Sequence, residues 1–126
     1  MRQLITLFIA LMGTATLYAQ QPYKVYCTLS ALHKGASVGS LSRVEVDYGQ
    51  DNNTKNYLVD EYGKAINYRS VTAAANDFAK LGWELETSYV VGDDNIRCVW
   101  IMSKMVIDDS EITEGFKTRW MLENGY

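Results

Sequence analysis

The residues that could do acid–base chemistry are few and scattered along the chain. His33 is the only histidine, and it lies beside Lys34 in a Gly/Ser-rich stretch that predicts a loop. A general base needs a partner that orients it and a cleft that holds the substrate. Ser37 stands in a G-x-S-x-G match at 35–39, but this match lies within a predicted loop and not at the strand-to-helix turn of a nucleophile elbow. We therefore interpret His33 as a solvated loop residue, with a catalytic role as the alternative.

Oxygen ligands for a cation occur together at Asp93, Asp94 and Asn95. This stretch lacks the glycine at position six and the acidic residue at position twelve of an EF-hand loop. It follows Gly92, and Asp and Asn after a glycine are typical of a hairpin turn. Two cysteines and one histidine are too few soft ligands for a structural zinc site. We predict a turn here, and neither a metal nor a cofactor.

The two cysteines, Cys27 and Cys98, lie 71 positions apart in predicted strands. A disulfide between them would close a long loop and stabilise the fold by about 4 kcal/mol in the chain-entropy model. Both residues, however, lie on apolar strand faces, where free cysteines are commonly buried. The sequence leaves both interpretations open and favours buried thiols.

Tyrosines are the most suggestive excess in the composition. Aromatic residues make up 12% of the chain, and nine of them are tyrosines. Tyr26 is predicted to face away from the core, and Tyr57, Tyr62 and Tyr68 cluster around a predicted small hairpin. Exposed tyrosine rings are large, rigid and amphipathic, which suits contact with a protein or a glycan. These four tyrosines are the candidate ligand-binding residues; the alternative is that they pack on the sheet with only their hydroxyls in water.

The first nineteen residues have the pattern of a secretory signal peptide. A basic start at Arg2 precedes a nine-residue, mostly apolar run at 4–12, and small residues lead to an exit at 17–19. The apolar run is too short for a helix that crosses about 30 Å of hydrocarbon, which takes roughly 20 residues. We predict that residues 1–19 are removed before Gln20 and that the mature chain has no membrane span. The chain is then exported to the periplasm or the cell surface, or secreted.

Length and charge bound the remaining possibilities. Residues 20–126 suffice for one small domain. The full chain has a net charge of −3, and the segment 108–126 holds five acidic and two basic residues. The body from 20 to 107 is nearly neutral, so no nucleic-acid partner is expected. The sequence predicts a single domain, 20–126, that ends in an acidic C-terminal tail at 108–126.

Apolar periodicity predicts the α+β class. Strand-like alternation is interrupted by one amphipathic helix. In chain order the predicted elements are strands at 23–29 and 41–48, a small hairpin at 57–67, a helix at 71–81, strands at 83–91 and 96–105, and a short C-terminal helix starting at Asp109 or Ser110. We predict a single antiparallel sheet with the main helix packed across it. The last strand, apolar on both faces, should be central.

The predicted core follows from the same periodicity. The apolar stripe of the main helix consists of Val71, Ala74, Ala75 and Phe78. Gly82 follows where a helix C-cap requires a positive φ, and Phe78 and Trp83 should be nearly fully buried. The face of the sheet that meets the helix is predicted to be filled by Val25, Val44, Val46, Leu85 and Phe78. The C-terminal helix should bury one face carrying Ile112, Phe116 and Trp120.

One series of segments resembles known proteins. Tyr23-Lys24-Val25 opens a strand, Val44 to Gln50 reads V-E-V-D-Y-G-Q, and the helix at 71–81 runs into Gly82-Trp83-Glu84-Leu85. Over roughly residues 23–105 the chain resembles short exported proteins of unknown function from gut-type Gram-negative bacteria. It resembles, more distantly, a small domain of unknown function with a helix–GWEL–strand core. The resemblance implies the fold and export, and it implies no activity.

These observations favour a non-enzymatic binding or protein-interaction module over an enzyme. Its partner would be a protein or a glycan, bound on the solvent side of the sheet or around the hairpin at 57–68. The alternative is a small secreted enzyme or enzyme inhibitor that uses the His33 loop or the Asp93–Asp94 turn. Association of the chain with itself is left open.

Overall fold

The computed structural model describes residues 20–32 and 42–125. In chain order the elements are β1 (Tyr23–Leu32), β2 (Ser42–Arg43), β3 (Glu45–Asp47), β4 (Leu58–Val59), β5 (Asn67–Tyr68), α1 (Val71–Lys80), β6 (Glu84–Val91), β7 (Arg97–Val106), a 3₁₀ helix (Asp109–Thr113), β8 (Lys117–Thr118) and α2 (Arg119–Glu123). The predicted signal peptide at 1–19 and His33 lie outside the described residues.

Four strands form the main sheet in the order β3-β1-β7-β6, and each neighbouring pair is antiparallel. β1 and β7 pair along their whole length, from Tyr23 opposite Val106 to Leu32 opposite Arg97. β7 is an interior strand, as its two apolar faces predicted. Two shorter antiparallel pairs, β2–β5 and β4–β8, join other segments. With one main helix, this architecture confirms the α+β class.

The main helix packs across one face of the sheet. α1 begins at Val71 because Ser70 has extended backbone and its hydroxyl accepts a hydrogen bond from Ala73 N at 3.2 Å. The predicted stripe of α1 is buried in one cluster with Cys27 and Leu29 of β1. Residues that alternate with these two along the strands point to the other side of the sheet. We call that other side the open face.

Aromatic rings join α1 to the C-terminal part of the chain. The rings of Phe78 and Phe116 stack with centroids 5.0 Å apart, and Trp83 lies 6.3 Å from Phe78. Phe78 and Trp83 are both nearly fully buried, as predicted. Gly82 has a φ of +97°, which favours glycine and turns the chain from α1 into β6.

The predicted hairpin at 57–67 forms around its turn, where Val59 bridges Ala65 antiparallel and Ile66 N donates to Leu58 O at 3.0 Å. Asp60 N donates to Lys64 O at 2.8 Å, and the Asp60 carboxylate accepts hydrogen bonds from the backbone N–H groups of Tyr62 and Lys64. Beyond the turn, β4 pairs with β8 and β5 pairs with β2. Partners from elsewhere in the chain therefore extend the local pairing that the spacing predicted.

The C-terminal segment differs most from the prediction. A single helix through Phe116 and Trp120 is wrong, because the 3₁₀ helix ends at Thr113 and α2 begins only at Arg119. Gly115 has a φ of +90°, which interrupts the helical path, and Phe116 after it is buried in the core. This segment is therefore part of the folded body and not an appended tail.

β6 does not fill the core as predicted. All eight of its residues are exposed, and Leu85, expected among the core residues, is 50% exposed. The reason is position, because β6 is the outermost strand of the sheet and the buried cluster under α1 is built from the other strands. A β-bulge between Leu85 and Thr87 also shifts the alternation and puts Leu85 and Tyr89 on opposite faces.

In the described ranges, 20–32 and 42–125, no helix has the length and apolar character needed to cross a membrane.

Candidate functional site

The four candidate tyrosines do not form one surface. Tyr26 is exposed on the open face, and Tyr62 is highly exposed in the turn after Asp60. Tyr57 is half-buried, with the guanidinium carbon of Arg43 4.6 Å from its ring centroid. Only Tyr26 lies on the main sheet. The structure therefore separates the candidates that the sequence grouped together.

Tyr68 requires a correction, because it belongs to the core. Its ring is buried in the cluster that contains Phe78. Its hydroxyl donates to the Asp77 carboxylate at 3.2 Å. Burial, with the nearby negative charge of Asp77, raises the pKa of Tyr68 to about 12. Tyr68 therefore cannot present its ring to a ligand, and its role is to join β5 to α1.

The structure also decides between the two interpretations of the cysteines. Cys27 is opposite Met102 and Cys98 is opposite Ala31, which is four positions further along β1. Four strand positions span roughly 13 Å, and a disulfide needs a much shorter Cα separation. Both thiols are free, and burial raises the pKa of the Cys27 thiol to about 12. The disulfide is thus corrected in favour of free thiols, of which Cys27 is buried and Cys98 half-buried.

The Asp93–Asp94 segment is an exposed turn between β6 and β7. Gly92 has a φ of +100°, and a Cβ there would lie 2.2 Å from the backbone oxygen of Asn95. The turn therefore requires glycine, which supports its interpretation as a hairpin turn. Within the part of the chain that the structure describes, no three or more His, Cys, Asp or Glu side chains come together in a group that could hold a metal ion.

The open face carries a groove of about 470 Å³, which we call the open-face groove. Its floor crosses all four strands. One row of directly opposed residues runs from Glu45 of β3 through Ser30 of β1 and Val99 of β7 to Tyr89 of β6. Thr28 lines the floor beside this row. The centre of the floor is therefore lined by the short, uncharged side chains of Ser30 and Val99. The aromatic ring of Tyr89 lies at the β6 side.

The loop that follows β3 forms the opposite wall of the groove, and its conformation is held by its own amides. Asn52 Nδ2 donates to Asn56 Oδ1 at 2.6 Å, and Asn56 Nδ2 donates to Asn52 O at 3.1 Å. Gln50 Nε2 donates to Val46 O at 2.9 Å. Asp51 and Asn53 line the groove from the same wall. This wall is fixed without help from a ligand.

Charges in the open-face groove are mainly negative. Arg97 is the cation among its lining residues, and its Nη1 donates to Glu45 Oε2 at 3.2 Å and to Ser30 Oγ at 3.1 Å. The carboxylates of Asp47 and Asp51 also line the groove. Because Arg97 is paired with Glu45, the remaining charge of the groove is negative and disfavours an anionic ligand.

Tyr26 lies beyond the groove, beside an ion pair on the same face. Lys24 Nζ donates to Glu86 Oε1 at 3.2 Å, and Ser103 Oγ donates to the same oxygen. The Ser103 hydroxyl, and after it the Lys24 ammonium, hold the pKa of Glu86 below its usual range. These contacts join β1, β6 and β7, so their role is to fix the position of the bulged part of β6.

A second groove, of about 540 Å³, lies between the turn after Asp60 and the segment 110–117. Asp60, Glu61 and Glu114 contribute carboxylates to it, and its aromatic lining residue is Phe116, which is mostly buried. Tyr57, Tyr62 and Tyr68 are not among its lining residues. The predicted hairpin site therefore has a cavity nearby, but its tyrosines do not line that cavity.

Tyr89 is the site residue that sequence reasoning missed. Uninterrupted alternation along β6 predicts that Tyr89 lies on the same face as Leu85, but the bulge places Tyr89 on the open face. The period of two within Thr87–Val91 alone groups Tyr89 with Thr87 and Val91, as observed. No sequence pattern predicts where the loop at 50–56 lies on the sheet. Its amide side chains form hydrogen bonds that define the conformation of the loop, and not its position.

No family model, curated protein or solved structure matches this chain.

Proposed function

We propose that this protein is a non-enzymatic binding module and that the open-face groove holds its ligand, a neutral, hydroxyl-rich molecule such as a glycan chain. The observation that carries the proposal is the row from Glu45 to Tyr89. It combines hydrogen-bonding groups at its centre with an exposed ring at one side, above a rigid strand floor. The groove volume is within the range of small-ligand sites, about 300–1,000 Å³.

The chemistry of the lining favours a sugar over charged ligands. Carboxylates such as Asp47 and Asp51 accept hydrogen bonds from hydroxyl groups, and the Thr28 hydroxyl both donates and accepts. The ring of Tyr89 offers an apolar surface to the C–H face of a pyranose. A phosphate or an acidic glycan would meet the same carboxylates without an unpaired cation at Arg97. Neutral hydroxyl groups satisfy the lining with no uncompensated charge.

Affinity electrophoresis tests the proposal directly. Native gels cast with a soluble neutral polysaccharide (a β-glucan, a mannan or a xylan) should retard the protein, and gels cast with alginate should not. Tyr89→Ala should weaken retardation by about tenfold, which corresponds to about 1.4 kcal/mol. Asp51→Ala, on the opposite wall, should weaken it as well. Tyr62→Ala is the matched control, because Tyr62 is an exposed tyrosine outside the groove.

Two results would contradict the open-face groove as a glycan site. One is the absence of retardation by every neutral polysaccharide. The other is an equal loss in the Tyr62→Ala control, which would instead favour the turn after Asp60 as the contact surface. Circular dichroism of each variant shows that the fold is retained.

We also propose that residues 1–19 direct export and are removed. The support is the sequence pattern together with the position of β1, which begins at Tyr23. Cleavage before Gln20 would leave every described element intact. Intact mass spectrometry of the protein from its native cells should therefore find a chain that starts at or near Gln20 in the periplasmic, surface or secreted fraction. A full-length chain in the cytosolic fraction would refute the proposal.

A further inference from the structure

The two edges of the main sheet are protected very differently. At the β3 edge, Val46 N donates to Asn56 O at 3.0 Å and Leu58 N donates to Val44 O at 2.9 Å, so another segment covers the strand. β3 is also only three residues long. β6, at the other edge, has eight exposed residues and pairs only with β7 among the described strands. Its outer hydrogen-bonding groups therefore form a template for another strand.

Protection of β6 is confined to its first half. Glu84 and Glu86 put charges there, and the bulge between Leu85 and Thr87 distorts the ladder. The second half, Thr87–Val91, reads T-S-Y-V-V and contains no charge, proline or glycine. Such a short, uncharged run of residues with high β-propensity is the kind that pairs with a like strand.

We propose that β6 pairs antiparallel with β6 of a second copy of this chain, with Tyr89 on the two-fold axis. In this register Thr87 lies opposite Val91 of the other copy, and Ser88 lies opposite Val90, so each pair shares one face of the sheet. The two Tyr89 rings meet directly, which is a favourable cross-strand pair. No charged residue is paired within the run.

The register of this strand pair is specified by the residues on either side of Thr87–Val91. Glu86 precedes it by one position, and Asp93 follows it by two. Sliding the two strands in either direction brings the bulge into the pairing or shortens the overlap. The Tyr89-centred register uses all five residues of both copies. Carboxylates at both ends of the run still repel one another, so association should strengthen when salt screens them.

The result is a weak dimer with one continuous eight-stranded sheet. A five-residue strand pair buries less than the roughly 1,000 Å² of a stable interface, so a dissociation constant on the order of 10–100 µM is expected. Both open faces lie on the same side of this sheet, because paired residues share a face. The inference rests on the exposed edge and not on the glycan proposal, although the two share Tyr89, whose ring lines the open-face groove and also contacts the Tyr89 ring of the second copy.

Sedimentation equilibrium of the purified protein over about 5–500 µM tests the proposal. The protein should dimerise, and its dissociation constant should be lower in 0.5 M than in 0.05 M NaCl by up to about tenfold, because salt screens the carboxylates that flank the run. Val90→Lys should weaken the dimer by about tenfold or more, because it adds a charge to the free edge. Met105→Lys is the matched control, because Met105 is 56% exposed and Val90 is 61% exposed, but Met105 lies on the interior strand β7.

Cross-linking tests the register independently. In a Cys98→Ser background, Tyr89→Cys should form a covalent dimer on mild oxidation, because the residue lies on the two-fold axis. Thr87→Cys alone should not, but it should cross-link when mixed with Val91→Cys. A protein that stays monomeric at every concentration overturns the proposal, as does a dimer that survives Val90→Lys or one that Met105→Lys weakens equally. Cross-linking of Thr87→Cys with itself overturns the register.

Discussion

Phe78→Ala is expected to lower the free energy of unfolding by about 3–5 kcal/mol. Phe78 is 1% exposed and stacks on Phe116, and it also packs against Trp83. Removing its ring leaves a cavity between α1 and the sheet that these rigid neighbours cannot fill by small movements. Because small domains have only about 5–15 kcal/mol of total stability, this loss is a large fraction of the total. Urea unfolding followed by circular dichroism measures the change.

The control for this variant lies on the same helix. Asn76 is exposed on α1, and Asn76→Ala should leave stability unchanged or raise it slightly, because alanine has the higher helix propensity. If Phe78→Ala were within about half a kcal/mol of the wild type, as surface substitutions are, α1 would not be the element that covers the sheet.

Elements that are specified by local periodicity were predicted well. The stripe Val71–Phe78 and the capping Ser70 together define α1, because both act within one or two turns of the same helix. The interior position of β7 followed from residues on both of its faces being apolar. In each case the residues that decide the structure lie within the element itself.

Features that depend on distant partners were not predicted. β4 of the predicted hairpin also pairs with β8, some sixty residues later in the chain, and nothing in the local spacing indicates that partner. Leu85 is exposed because α1 does not cover that part of the sheet, and no residue near Leu85 in the sequence indicates how far α1 extends over the sheet. Tyr68 is likewise buried by the cluster that α1 helps to form, and its hydroxyl donates to Asp77 on that helix.

The candidate site also combines a feature that the sequence predicted with features that depend on distant partners. The sequence predicted that a ligand surface would lie on the solvent side of the sheet or at the hairpin, and the open-face groove lies on the solvent side of the sheet. The residues within it were not predicted, because Tyr89 reaches that face only through the bulge and the loop at 50–56 reaches it only through its tertiary position. The number of tyrosines favoured an aromatic ligand site, but the exposure of each ring and the face of the sheet on which it lies decide which tyrosine can contact a ligand.

The second large effect is expected at the C-terminal segment, which composition alone marks as an acidic tail. Its backbone is bound to the body: Arg119 N donates to Tyr57 O at 3.2 Å, and Trp120 N donates to Lys55 O at 2.9 Å. The Lys55 ammonium contacts the Glu123 carboxylate at 2.7 Å. These contacts place α2 against the segment that follows β3, so the charges of the tail lie on the outside of a packed element.

Met121→Ala should therefore lower the free energy of unfolding by about 2–5 kcal/mol, as buried methionine truncations do. Met121 is 1% exposed, whereas its neighbour Leu122 is 42% exposed. Leu122→Ala removes a similar volume from the same helix and should change stability by less than about 1 kcal/mol. Urea unfolding of the two variants makes the comparison. Equal, small effects of both substitutions would mean that α2 is detached in solution and that the acidic segment is a tail after all. A large loss confined to Met121→Ala means that α2 is part of the folded body.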